Sequence, residues 1–69
     1  MTDKQMIIDK LVELSIECGK KNEQLDTYIY EADEKGNPTE CSKKHYQRMY
    51  DYRNKLYYQI EILKEVLND

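Results

Sequence analysis

Apolar residues recur along the first half of the chain at alternating intervals of four and three: Ile7, Leu11, Leu14, Cys18, Leu25, Tyr28 and Ala32, with Lys21 occupying one step. The second half repeats the pattern at Ser42, Tyr46, Met49, Arg53, Leu56, Ile60, Leu63 and Leu67. On a helix of about 3.6 residues per turn this spacing holds every member on one narrow stripe, the seam of a coiled coil. Between the two runs lies the chain's strongest turn signal, Asp33-Glu-Lys-Gly-Asn-Pro38. A proline inside a helix costs about 3 kcal/mol and a glycine about 1, so one uninterrupted rod is the weaker alternative.

The predicted elements are a helix over about 3–33, a turn over about 34–37 and a helix over about 38–67. Thr2 or Asp3 is the expected cap of the first helix, and Gly36 the left-handed residue that ends it. Asn37 is expected to cap the second, with Pro38 in its first turn and Glu40 reaching back to complete a capping box. Folding back at Asn37 brings the stripes face to face, layer by layer: Ile7 with Leu67, Leu11 with Leu63, Leu14 with Ile60, Cys18 with Leu56, Leu25 with Met49, Tyr28 with Tyr46. The residue numbers of every pair have the same sum, an agreement between two patterns read separately. The expected fold class is all-α, an antiparallel two-helix hairpin of coiled-coil type forming a single domain over residues 1–69.

A lone pair of seams buries too little to offset about 1–2 kcal/mol of backbone entropy per residue. Further apolar residues stand off the seam: Ile8, Val12 and Ile16 in a ridge on the first helix, with Ile29 beyond, and Tyr50 and Tyr57 on one side of the second, Tyr52 and Val66 on the other. Faces this wide ask for a third surface. A second copy supplies it most economically, so the hairpin is expected to dimerise into a four-helix bundle, with a different protein as the competing partner. Ile8, Val12, Ile16, Tyr50, Tyr52 and Tyr57 are the expected interface residues. All the aromatic surface is tyrosine, since the chain of 69 residues has 7 Tyr, no Trp and no Phe. A tyrosine ring covers apolar surface while its hydroxyl stays at the wet rim.

Composition narrows the setting. No apolar run approaches the roughly 18 residues of a membrane span, and Met1-Thr-Asp-Lys-Gln5 does not open like a signal peptide, so a cytoplasmic protein without membrane contact is expected. The 2 cysteines are too few for a disulfide scaffold and, standing about four helical turns apart in the hairpin, are expected to be free thiols. The formal net charge of -3 hides a polar second half, basic over 41–55 through Lys43, Lys44, Arg48, Arg53 and Lys55, then acidic through Glu61, Glu65 and Asp69.

Candidate chemistry is sparse. Lys21 and Arg53 share one layer of the seam: their stems can pack while the heads reach outward, Lys21 toward Glu17 and Arg53 over Tyr50 or Tyr57, or the pair can hold an anion between them. Lys43, Lys44, Arg48 and Lys55, interleaved with tyrosines, make a candidate nucleic-acid face on an otherwise acidic protein. Cys41 and His45, one turn apart, supply only two of the four ligands a zinc site needs, so no metal and no cofactor is expected. With a single His, no phosphate loop and no nucleophile set beside a base, no catalytic residue can be named. The expected function is that of a small non-enzymatic regulator, adaptor or inhibitor acting by protein–protein contact as a homodimer. The alternatives are a nucleic-acid accessory protein and a binder of a small phosphorylated ligand.

Overall fold

A computed structural model of the chain describes residues 3–68. They form two helices, α1 (Asp3–Thr27) and α2 (Glu40–Asn68), packed against each other as a hairpin, with no strand among the described residues. The body measures 58 × 15 × 13 Å. Thr2, one of the two expected caps, lies outside the described residues.

The seam is as the spacing predicts over both helices. Leu14, Cys18, Leu56 and Ile60 are the buried core, flanked by the half-buried Leu11 and Leu63. These six residues are three consecutive layers of the register. Ile7, Leu25 and Tyr28 on one side and Tyr46, Met49 and Leu67 on the other are half-buried. The core is thin: its best-covered apolar residue, Leu56, is still 6% exposed.

The helix boundary departs from expectation. α1 ends at Thr27, six residues short of the predicted end, and the chain then runs extended. Tyr28-Ile29-Tyr30 joins aromatic and β-branched side chains, which suit an extended backbone better than a helix. The last helical turn tightens, with the Tyr28 amide donating to the Leu25 carbonyl at 3.5 Å and the Thr27 hydroxyl donating back to the Glu23 carbonyl at 2.9 Å. In the extended segment Tyr28 and Tyr30 fall on the same side and Ile29 on the other. Both rings accordingly turn toward α2, while Ile29 is 86% exposed.

Asp33-Glu34-Lys35-Gly36-Asn37 closes a miniature β-hairpin rather than a helix–helix turn. The Asp33 amide donates to the Asn37 carbonyl at 2.8 Å, and the Gly36 amide to the Asp33 carbonyl at 3.0 Å. Beyond them, Ala32 and Pro38 form an isolated antiparallel bridge, and the Thr39 amide donates to the Glu31 carbonyl at 2.9 Å. This is a three-residue loop with a left-handed glycine, at which Gly36 has φ 83°. Gly36 thus adopts the predicted conformation but ends no helix. Ala32, predicted in the seam, is exposed in the loop.

Thr39 caps α2 in place of Asn37. Its hydroxyl oxygen accepts from the Ser42 amide at 3.2 Å, and its carbonyl from the Lys43 amide at 3.0 Å, the first bond of the helix. Pro38 therefore precedes the cap instead of sitting in the first turn. Glu40, predicted to reach back, pairs forward with Lys43 at 3.5 Å. The Asn37 amide is occupied elsewhere: Asp33 Oδ1 accepts from it and from the Lys35 amide, each at 2.9 Å, so the turn is built on Asp33.

Candidate interaction surface

The two helices have unlike flanks. Lys21 Nζ lies 5.1 Å from the centre of the Tyr52 ring, and Lys10 and Gln59 line one cavity; these contacts place Tyr52 on the flank that carries Lys10 and Lys21. Helical spacing then puts Ile8, Ser15 and Gly19 of α1 on the opposite flank, with Tyr50 and Tyr57 of α2. Val12 and Ile16 continue that flank outward.

Of the six predicted interface residues, five share this second flank and all are exposed: Ile8 37%, Val12 55%, Ile16 57%, Tyr50 40% and Tyr57 48%. A Cβ added at Gly19 would meet nothing within 4 Å. Tyr52, the sixth, stands across the seam from the others with its ring against Lys21. Three exposed apolar residues outside the predicted set, Met6, Ile62 and Val66, lie toward the open end of the hairpin. There Lys10, Leu14, Gln59, Ile62 and Leu63 surround an open cavity of about 330 Å³. Val66 stands beside the seam on the Tyr52 side, as the spacing places it; Ile62, one turn before it, belongs to neither ridge because, although next to Leu63 in sequence, it lies further round α2 from the seam.

Lys21 and Arg53, facing each other in the register, do not converge. The Lys21 ammonium turns to Tyr52 and donates to Gln24 Oε1 at 3.3 Å, not to Glu17 as predicted. The Arg53 guanidinium lies 4.9 Å from the centre of the Tyr50 ring, one of its two predicted supports. Two like charges that would repel at the seam leave it on opposite flanks, each over the face of an aromatic ring whose negative quadrupole attracts a cation. The Arg53 Nε is buried and has no hydrogen-bond partner among the described residues.

The basic residues of α2 divide into paired and unpaired. Lys43 is bound to Glu40. Lys44, Arg48 and Lys55 are exposed and make no ion pair among the described residues. Asp51, the one carboxylate in their stripe, accepts a hydrogen bond from Gln47 Nε2 at 2.9 Å.

At the closed end, four rings pack where the sequence pattern predicts one layer. Tyr28 lies 5.7 Å from Tyr46, the predicted pair, and 5.2 Å from Tyr30 and 5.5 Å from His45; Tyr30 lies 5.4 Å from Tyr46. Tyr30 and His45 join only because the chain is extended after Thr27, which a helical reading conceals. Cys41 and His45, with Tyr28, Ile29, Glu31 and Ser42, line an open cavity of about 420 Å³. Both cysteines are free thiols, Cys18 buried and Cys41 exposed. Among the described residues no group of three or more His, Cys, Asp or Glu side chains is arranged to hold a metal ion, and no helix is long and apolar enough to cross a membrane.

Comparison of this chain with protein-family models, with curated protein sequences and with solved structures finds no match, so its candidate surfaces rest on their own geometry.

Proposed function

We propose that this chain is a small, non-enzymatic cytoplasmic regulator, adaptor or inhibitor that works by occupying the surface of another protein, and that it does so as a homodimer in which two hairpins form a four-helix bundle. The observation that carries the reading is the apolar ridge Ile8, Val12 and Ile16, half or more exposed at Val12 and Ile16 and continuous with the flank of Tyr50 and Tyr57. Isolated exposed apolar residues are ordinary on a protein surface, but a contiguous set on one flank is the mark of an interface.

Surface area supports it. The hairpin exposes 5753 Å², whereas a compact monomer of this mass exposes about 4600 Å². The excess, about 1100 Å², exceeds the roughly 800 Å² that a standard interface takes from each partner. The open space over Gly19 would admit a neighbouring helix close to the α1 backbone. The tyrosines fit the rim of such a contact, rings inward and hydroxyls wet.

Light scattering on the purified chain tests the assembly: a dimer at tens of micromolar is expected, and a clean monomer there overturns it. A pull-down from the native host tests the partner, expected in stoichiometric amount with the wild-type chain and lost with Ile16→Glu. Repeated recovery of the bait alone under gentle conditions counts against the regulator.

A further inference from the structure

The outward turn of Lys21 assembles a cation cluster that neither helix holds alone. Tyr52 is its centre. The Lys21 ammonium, from α1, sits 5.1 Å from the ring centre; Arg48 precedes Tyr52 by one turn of α2 and Lys55 follows it by one turn, so both project beside it. Lys44 extends the line one turn further toward the closed end. The exposed cations of this line are free to act: Lys44, Arg48 and Lys55 make no ion pair among the described residues, whereas Lys10, Lys43 and Lys64 are each taken by a glutamate three residues away. Asp51, which lies between Arg48 and Lys55 and accepts a hydrogen bond from Gln47, forms no ion pair with either; it keeps its charge and offsets one of the cations. A basic line therefore survives on a chain whose net charge is -3.

We propose that Lys44, Arg48 and Lys55, with Lys21 across the seam, form a site around Tyr52 for the phosphodiester backbone of single-stranded nucleic acid. From Lys44 to Lys55 the helix rises about 16 Å, room for about three phosphates of an extended strand. Arg48 supplies a planar fork of donors suited to phosphate oxygens, and the lysines supply point charges. Tyr52 is 44% exposed and Tyr58, on the other side of the same line, is 64% exposed, so rings for base stacking border the cations on both sides. The site lies on the flank opposite Ile8, Val12 and Ile16 and does not depend on the dimer.

Fluorescence anisotropy of a labelled 12-nucleotide thymidine strand tests it. Binding is expected at low salt, weakening about 20- to 50-fold between 50 and 200 mM salt as three to four phosphate contacts give way to counterions. Arg48→Gln with Lys55→Gln should abolish it, Lys21→Ala should weaken it several-fold, and Lys64→Ala and Ile16→Glu should leave it unchanged. Circular dichroism of each variant checks that the hairpin persists; Lys44, Arg48 and Lys55 are exposed, so loss of helix is not expected there, and Lys44→Ala gives a second, single-site measure. Four results would overturn the site: no anisotropy change at low salt, binding insensitive to salt, equal losses from Lys64→Ala and Arg48→Gln, or competition by poly-glutamate as strong as by unlabelled strand, which would mark an acidic protein instead. Inorganic triphosphate competing as well as the strand, at equal phosphate, would reassign it to a small phosphorylated ligand.

Discussion

The Tyr28 hydroxyl lies 2.9 Å from Ser42 Oγ and 3.2 Å from the Ser42 carbonyl, tying the end of α1 to the first turn of α2. Ser42 Oγ also accepts from the Glu31 amide at 2.9 Å, so this one side chain, 3% exposed, anchors the extended segment as well as the ring. A seam position that the apolar pattern leaves to a serine is thus the junction of the loop. Ser42→Ala strands the Glu31 amide and is expected to destabilise the fold by about 1–3 kcal/mol. Tyr28→Phe keeps that bond and should lose only about 0.5–1.5 kcal/mol. Urea unfolding of both variants reads the difference, and the reverse order would refute the junction.

Lys21 and Arg53 leave the seam with a polar layer. Replacing both by Met should raise stability by about 1–3 kcal/mol, as apolar volume replaces two partly desolvated like charges. It should also loosen the register, since polar layers penalise slipped pairings. Denaturant midpoints measure the first effect; spin labels at Val12 and Ile62 measure the second as a broadened distance distribution. A variant less stable than wild type contradicts the account of the layer.

Gly36 occupies the left-handed region with empty space around it, φ 83° and nothing within 4 Å of an added Cβ. Gly36→Ala should therefore destabilise through backbone strain alone, by about 1–2 kcal/mol, and Gly36→Asn by less, because asparagine tolerates this conformation. Equal midpoints for all three chains would show that the turn does not need its glycine.

Leu56 and Val12 separate the two apolar surfaces. Leu56→Ala removes volume from the three-layer core and should destabilise the hairpin by about 2–5 kcal/mol. Val12→Glu leaves the core untouched, so helix content should persist while the proposed dimer should dissociate at least tenfold more readily. Sedimentation and circular dichroism together distinguish them. Val12→Glu that remains as dimeric as wild type moves the interface off the Ile8, Val12 and Ile16 ridge.

The register and the hairpin follow from the sequence by itself, because a helix converts a spacing of four and three into one stripe, and two stripes with matching layers have one economical way to meet. Spacing puts Leu14, Cys18, Leu56 and Ile60 on that seam, but it does not separate them, as the buried core, from half-buried members such as Ile7 and Leu67. The end of α1, the cap of α2 and the course of residues 28–39 needed the tertiary structure. Helix, strand and turn lie close in free energy over so short a segment, and the choice falls to contacts between residues distant in sequence: Tyr30 on Tyr46, Tyr28 on Ser42, Thr39 on Glu31. The same holds at the surface. Spacing places Lys21 and Arg53 in one layer, but only the rings that await them on either flank decide which way each charge turns, and with it which residues Lys21 joins.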